Sequence, residues 1–397
     1  MKQGKLIRRA VSAVLAGCMM FTLLPVVAFA ASGTFTIGSN SYETETDIPE
    51  QELGGGTISY DAETHTLTLN DVNIEDSSHD WVIDFNDMDT LLNLVLVGKN
   101  ILNGHGGISA PKLKISGNGS LQITATDFDG IAGAGQSEEN LTIGSAVDIT
   151  AMNGCAIVFN GSVRIEQGAT VKARCLYSGI DCYDLTIDSA TEVNLESTEE
   201  KRNAICVHGN NDGTVAGTAN IKNSKLVLKS GYPAFYAKDG IEISGGSVEA
   251  VSTSDAGIFT RGELSITDAA KVHVSGYRGI GSNGQTTIGE ADIEIDSTNF
   301  SIVNPVQIEN GNKVLSLMGG KNKESATVLN PDDFVWDRPD PDCIGKNAYL
   351  HIITGSVADP DEPFDPGSGY DASSAAGGAI AAVAVGGAAI WGGYEIA

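Results

Sequence analysis

The chain repeats a pattern of short alternating stretches with a period of about 22 residues. Within each stretch aliphatic residues alternate with polar ones, which places one row of side chains on the inner side of a strand and the next row on the outer side. One aliphatic position recurs as Ile115, Ile143, Ile165, Ile187, Ile221, Ile243, Ile266 and Ile288. The steps between these residues are 28, 22, 22, 34, 22, 23 and 22. A step that absorbs insertions and then returns to 22 is typical of a solenoid, whose strands are fixed and whose loops vary.

A second series of apolar residues supports the same register. It comprises Ile108, Ile131, Ile157, Ile180, Ile205, Phe235, Ile258 and Ile280, and a Gly or Ala usually precedes its members. Small residues suit a tight corner where the backbone turns before a buried strand. We therefore predict an all-β fold, a right-handed parallel β-helix of about ten coils with N- and C-terminal caps. At ~4.8 Å per rung, such a rod is roughly 45 to 50 Å long.

Departures from the repeat divide the chain into six predicted segments. These are a signal peptide (1–30), an N-terminal cap with the first coil (31–85), the parallel β-helix (86–299), a C-terminal cap (300–354), a linker (355–374) and an apolar Gly/Ala segment (375–397). Four basic residues, an apolar run and the small-residue site Ala28-Phe29-Ala30 indicate export. The linker is rich in Pro, Asp, Gly and Ser. We expect an extracellular or cell-surface protein.

Two questions of anchoring stay open. Leu15-Ala16-Gly17-Cys18 fits a bacterial lipobox, which would attach a lipid to Cys18, although the apolar residues that follow favour the signal peptide. Residues 375–394 carry no charge, and ~20 residues span a bilayer as a helix. Against membrane insertion, this stretch has no Leu or Phe, and Glu395 follows it. If the segment does enter a membrane, it attaches the protein to the cell envelope.

The charge balance narrows the range of partners. The formal net charge is −27 at pH 7, and removal of the four bases of the signal peptide lowers it to −31. So acidic a chain has no basic stripe for nucleic acid or anionic lipid. It favours divalent cations, or simple solubility as a monomer. Five cysteines follow the signal peptide, an odd number without CxxC spacing, which indicates buried apolar residues rather than a disulfide framework or a zinc site.

Oxygen-rich turns are the candidate metal site. Asp127, Asp129, Asn153 and Asp255 come just before the glycine of a coil corner, and Asp212 lies in the longest insertion. Calcium takes six to eight oxygen ligands from such carboxylates, amides and carbonyls, so these five residues are the predicted ligands. Asp and Asn are also the ordinary residues of turns, and that alternative stays open.

Tyrosines near the corners are the candidate sugar-binding residues. Tyr177, Tyr232 and Tyr277 each precede a third strand, where they would form a partly exposed ladder. Gly104-His105-Gly106 matches a short motif of polygalacturonases, but it lacks that family's accompanying Asp, Arg and Lys residues. We assign no catalytic residue.

A family resemblance adds to this interpretation. The stretch Leu113–Leu121, the pair Leu264-Ser265-Ile266 and Val272-His273-Val274, and the Gly-Ile corners resemble the β-helical carbohydrate-binding domain of clostridial and gut Firmicutes surface proteins. The resemblance covers residues 67–295 and implies an exported β-helix that binds calcium and acidic, pectin-type polysaccharide without cleaving it. Two alternatives remain: a polysaccharide lyase or hydrolase on the same scaffold, and a structural adhesin or stalk.

Overall fold

The computed structural model describes residues 33–133, 139–210, 212–303, 305–333 and 344–356. The predicted signal peptide, residues 357–374 of the linker and the apolar Gly/Ala segment lie outside these residues, as do Cys18 and Cys343. Within the described ranges, no helix has the length and apolar character needed to cross a membrane.

Short β-strands make up most of the described chain. The first sixteen are β1 (Thr34–Ile37), β2 (Asn40–Glu43), β3 (Ile48–Leu53), β4 (Gly56–Asp61), β5 (Thr66–Asn70), β6 (Asn73–Phe85), β7 (Leu92–Val97), β8 (Lys99–Ser109), β9 (Lys112–Gly117), β10 (Ser120–Ala125), β11 (Ile131–Ala132), β12 (Glu139–Ile143), β13 (Ala146–Ala151), β14 (Ile157–Ile165), β15 (Thr170–Cys175) and β16 (Ile180–Asp188). The others are β17 (Glu192–Ser197), β18 (Ile205–Val207), β19 (Thr218–Lys222), β20 (Lys225–Ser230), β21 (Phe235–Ala237), β22 (Gly240–Ser244), β23 (Ser247–Ser252), β24 (Ala256–Thr260), β25 (Glu263–Thr267), β26 (Ala270–Ser282), β27 (Thr286–Ile288), β28 (Ala291–Ile302), β29 (Val306–Ile308), β30 (Asn312–Gly320), β31 (Thr327–Val328) and β32 (Tyr349–Ser356). Within the described ranges, three 3₁₀ turns occupy Lys323–Ser325, Pro331–Asp333 and Ile344–Lys346.

Parallel pairing stacks these strands into three faces of a solenoid. The first face runs from β5 through β7, β9 and β12 to β29. The second face contains β10, β13, β15, β17, β20 and β23 with the beginnings of β26 and β28. The third face contains β11, β18, β21 and β24 with the ends of β8 and β26. Each coil visits the faces in that order, which gives a parallel solenoid of about ten turns.

The structure confirms that both predicted series of apolar residues stack in register, each as one column. Ile143 pairs with Ile115 and Ile165, and the pairing continues without a break to Ile288. The column on the third face pairs in the same way from Ile108 to Ile280. Every residue of both columns is at most 1 % exposed. The aliphatic stack is therefore one continuous dry interior, and the insertions lie outside it.

Close packing explains the small residues at the third-face corner. A Cβ added to Gly257 would lie 2.1 Å from Cγ1 of Val274, a side chain that fills the interior from the next coil. A Cβ added to Gly130 would lie 2.3 Å from Cγ2 of Ile149 for the same reason. Since real side chains do not approach so closely, the branched residues of the second face require glycine at these corners.

Antiparallel strands cover the ends of the stack. At the N-terminal end β1 pairs antiparallel with β6, and β4 pairs antiparallel with β5. There the ring of Phe35 packs 4.8 Å from that of Tyr60 and 5.6 Å from that of Phe85. At the other end β32 pairs antiparallel with β28 and β30. Such caps satisfy backbone groups that an open coil would leave unpaired.

The described cysteines carry free thiols. Cys175 and Cys182 are buried, whereas Cys155 and Cys206 are partly exposed. Burial raises the pKa of the Cys175 and Cys206 thiols to about 12 and raises that of Cys182 above its ordinary range. Thiols held in this protonated form are poor nucleophiles and behave as small apolar side chains.

Candidate functional site

The corner between the second and third faces carries all three predicted tyrosines. Each lies three residues before a third-face apolar residue. The strand register therefore places it in one column with the equivalent residues of all the neighbouring coils. From the N-terminal side this corner column comprises Phe128, Gly154, Tyr177, Arg202, Tyr232, Asp255 and Tyr277. An aromatic residue therefore occupies every second coil across seven coils.

Backbone hydrogen bonds hold the aromatic residues of the corner column in position. Each aromatic residue donates its N–H to the corner carbonyl of the preceding coil: Phe128 to His105 (2.8 Å), Tyr177 to Gly154 (3.1 Å), Tyr232 to Arg202 (3.2 Å) and Tyr277 to Asp255 (2.9 Å). At ~4.8 Å per rung, successive aromatic residues are about 9.6 Å apart along the axis. The backbone positions that carry these aromatic rings are thus regularly spaced along the axis.

The rings of the corner column face solvent to different degrees. Phe128 is 41 %, Tyr232 47 % and Tyr277 50 % exposed. Tyr177 is partly buried, because the guanidinium carbon of Arg202 lies 4.8 Å from its ring centroid. Exposed rings with a fixed backbone are platforms on which an apolar face of a ligand can stack.

A cleft of about 410 Å³ opens beside the C-terminal half of the corner column. Tyr232, Tyr236, Phe259, Arg261 and Arg278 contribute to its lining. The rings of Tyr236 and Phe259 stack with centroids 6.2 Å apart and an interplanar angle of 13°. Burial raises the pKa of the Tyr236 hydroxyl, and nearby Arg261 opposes this increase. The cleft therefore combines a flat aromatic floor with guanidinium groups.

Half of the arginines that follow residue 30 lie at this corner. Six arginines follow residue 30 in the sequence, and three of them, Arg202, Arg261 and Arg278, lie on the corner column or in the cleft. Nη2 of Arg278 donates to Oδ1 of Asp255 at 2.5 Å, while its buried Nε has no hydrogen-bond partner among the described residues. Guanidinium groups are suited to carboxylate ligands, and at this corner Arg278 already forms such an ion pair with Asp255.

Three of the predicted calcium ligands lie on neighbouring coils at one end of this corner. Asp127 and Asn153 occupy equivalent positions, each four residues before a paired isoleucine, and Asp129 lies beside them. Oδ2 of Asp127 contacts Nδ1 of His105 at 2.5 Å, and Nδ2 of Asn153 donates to the carbonyl of Thr126 at 2.7 Å. These contacts tie one coil to the next.

The three carboxyl groups Asp129, Asp255 and Asp212 also have partners within the chain. Asp129 accepts the Cys155 N–H at 2.6 Å, and burial raises the pKa of its carboxyl group. Asp255 lies five coils beyond, about 24 Å along the axis at ~4.8 Å per rung, and is paired with arginine. Asp212 lies in a separate loop, where it accepts the N–H and the hydroxyl of Thr214.

The five predicted ligands therefore do not converge on one ion. Across the described ranges, no group of three or more His, Cys, Asp or Glu side chains has a spacing that could hold a metal. In the structure these acidic and amide groups serve as turn and inter-coil partners. Calcium binding by these residues therefore remains a prediction.

The histidine of the Gly104-His105-Gly106 motif has a structural setting. Besides the contact of its Nδ1 with Asp127, its Nε2 lies 3.0 Å from the carbonyl of Ser77. The hydrogen bond to Asp127 raises the pKa of His105. Both ring nitrogens are thus occupied in joining three coils, as expected of a corner residue.

Sequence reasoning did not select Phe128, Tyr236, Phe259 or Arg278 as site residues. The sequence position of Phe128 could have identified it. Phe128 lies three residues before Ile131, and each predicted tyrosine likewise lies three residues before its third-face apolar residue. Tyr236 and Phe259 directly follow the paired residues of two successive coils. A search of the aligned coils for aromatic residues of any type would have found all three.

No family model, no curated protein and no solved structure matches this chain. Of the resemblance to clostridial surface domains, the structure therefore supports the β-solenoid fold alone.

Proposed function

We propose that this protein is an exported or cell-surface, non-catalytic carbohydrate-binding protein whose ligand is an acidic, pectin-type polysaccharide. The observation that carries the proposal is the corner column, with an aromatic residue on every second coil and three of the chain's arginines beside it. The polysaccharide would lie parallel to the rod axis, along this column.

The spacing of the rings favours a polymer over a single sugar. Because successive rings are about 9.6 Å apart, a disaccharide unit of an extended chain could bring every second sugar onto a ring. Tyr232 and Tyr277 are exposed, and the backbone N–H of each is hydrogen-bonded to the preceding coil, so a sugar face can stack on either ring without a backbone rearrangement. Several weak contacts along one chain then add up through their high effective concentration.

Charge at this corner favours uronic acids. The protein as a whole is strongly acidic, so long-range attraction cannot steer an anionic polymer to it. Arg202 and Arg261 provide a local exception, because a guanidinium pairs with a carboxylate through two parallel hydrogen bonds, whereas Arg278 is already paired with Asp255. Calcium bridging between ligand and protein carboxylates was expected to overcome the repulsion, and it enters the proposal only as a condition to be tested.

Calorimetric titration with polygalacturonate fragments tests the proposal. Tyr232→Ala combined with Tyr277→Ala should weaken binding about tenfold or more, equivalent to ~1.4 kcal/mol or above. The matched control is Leu315→Ala, which removes an equally exposed apolar side chain, 53 % exposed, from the C-terminal cap and should bind as the parent does. Equal binding by the double variant, or no binding of any acidic glycan, would remove the corner column as the site.

Three further measurements test the role of calcium and the two alternative functions. Binding that is unchanged by a chelator would eliminate calcium as a bridge. Release of unsaturated or reducing ends during incubation with pectin would favour a lyase or hydrolase. Binding to host cells or proteins without binding to glycans would favour an adhesin or stalk.

A further inference from the structure

A second cleft lies at the N-terminal end of the third face. It has a volume of about 530 Å³, in the range of sites for small ligands. Its lining includes Thr36, His79, Asp80, Trp81, Asp84 and Asn86. None of the arginines of the corner column contributes to it, so its chemistry differs from that of the proposed polysaccharide site.

A bulge in β6 builds one wall of this cleft. The register of β6 against β8 shifts between Asp76 and Trp81, which pushes the intervening residues out of the sheet. Asp76, whose side chain is 4 % exposed, accepts hydrogen bonds from the N–H and hydroxyl of Ser78 and from the N–H of His79. Burial disfavours ionisation of Asp76, but the hydrogen bonds from Ser78 and His79 outweigh it and lower the pKa. The buried Asp76 side chain therefore holds this wall of the cleft in place.

Trp81 supplies an aromatic surface at the end of this bulge. Its indole lies against Gly106 of the next coil, where an added Cβ would come within 2.6 Å of a ring carbon. The ring of Phe128 stacks on it with centroids 5.9 Å apart and an interplanar angle of 25°. Because Phe128 begins the corner column, the cleft continues the same side of the rod.

Asp84 provides an unsatisfied acceptor within the cleft. In the sheet it is flanked by Thr36 and Ser109 on the two neighbouring strands. Its Oδ2 accepts from Nδ2 of Asn86 at 2.9 Å, whereas its buried Oδ1 has no hydrogen-bond partner within the part of the chain that the structure describes. A buried acceptor without a partner is costly, and the broad last torsion of an Asp side chain lets either oxygen turn toward a ligand.

We propose that this cleft binds a neutral sugar residue. The sugar packs against the part of the Trp81 indole that Phe128 leaves uncovered in the cleft, and its hydroxyl groups donate to the carboxyl groups of Asp84 and Asp80. Two carboxyl groups accept hydrogen bonds from hydroxyl donors and repel a uronate. The site goes beyond the proposed function, because it selects a ligand of a different charge class. Together, the two sites fit a mixed polysaccharide with acidic and neutral sugars.

Saturation-transfer NMR and calorimetry with the methyl glycosides of glucose, galactose and mannose test this site. At least one of these sugars should bind, and methyl galacturonide should compete at least tenfold less well than the best neutral sugar. Trp81→Ala should abolish binding, Trp81→Phe should retain it, and the near-isosteric Asp84→Asn should weaken it at least fivefold. Far-UV circular dichroism and the unfolding temperature show whether each variant is folded; if Trp81→Ala is not, the Phe and Asn variants decide.

Two controls separate this site from the corner column. Tyr232→Ala should weaken polygalacturonate binding and leave neutral-sugar binding unchanged, and Asp148→Asn, in a groove on the second face, should change neither. The proposal is overturned if none of the neutral glycosides binds, if Asp84→Asn binds as the parent does, or if Tyr232→Ala abolishes both activities together. Failure at this cleft with intact polygalacturonate binding would leave the proposed function standing.

Discussion

Ile243 lies at the middle of the aliphatic stack, and its truncation measures how much one rung stabilises the rod. It is 0 % exposed and pairs with Ile221 in the preceding coil and Ile266 in the following one. Ile243→Ala removes three buried carbons, worth about 2.4 kcal/mol at ~0.8 kcal/mol each. Neighbouring rungs are held in register by their own strands and cannot collapse into the space, so a cavity term should raise the loss to about 3 to 4 kcal/mol.

Native-state hydrogen exchange is the appropriate assay, because a repeat array need not unfold in one step. The opening free energies of amides in β19, β22 and β25 should fall by that amount, whereas amides at the N-terminal cap should change much less. Glu242→Ala is the matched control, since this neighbouring side chain points to solvent and its loss should alter stability by less than about 0.5 kcal/mol.

A loss below about 1 kcal/mol for Ile243→Ala would mean that the interior is loosely packed. Equal losses for Ile243→Ala and Glu242→Ala would mean that β22 does not turn alternate residues inward and outward. Either result would refute the stacked interior on which the corner column depends.

Three other measurements test separate parts of the structure. Gly257→Ala should destabilise the protein by about 1 to 3 kcal/mol, because its Cβ would meet Val274, and adding Val274→Ala should cost less than the sum of the two single changes. The hydrogen bond to Asp181 raises the pKa of His208 in the folded state. The stabilisation from this contact should therefore be complete below the unfolded pKa of about 6.5 and be lost as the pH rises through the folded pKa. In denaturant titrations, His208→Gln should remove that part of the pH dependence. The Cys182 side chain is 0 % exposed, and its thiol should react with a thiol reagent at pH 8 far more slowly in the native protein than in guanidinium; fast native labelling of Cys182 would contradict its burial.

The register of the coils could be predicted from sequence because it depends on local periodicity alone. Isoleucines 22 residues apart are paired neighbours, and the step of 34 residues between Ile187 and Ile221 is absorbed by loops while the pair itself is kept. The glycines before the third-face residues were predicted for a turn. The structure adds the tertiary reason that branched side chains from another coil fill the space where a Cβ would lie.

The site was harder to predict because its chemistry depends on contacts between coils. Asp127 and Asp255 resemble metal ligands when each is viewed with its own turn, but their partners, His105 and Arg278, lie on adjacent coils. The alternating column was overlooked at Phe128 because only tyrosines were considered. The bulge that sets Trp81 in the N-terminal cleft breaks the repeat, and a periodic pattern holds no information about such a departure.

Dependence of affinity on ligand length tests the central claim most directly. From Phe128 to Tyr277 the corner column spans six rungs, about 29 Å at ~4.8 Å each. Titration with oligogalacturonates of increasing length should show affinity rising with each added disaccharide until the ligand spans the column, and then levelling off. Affinity that is independent of length, or that is fully reached with a disaccharide, would contradict binding along the rod.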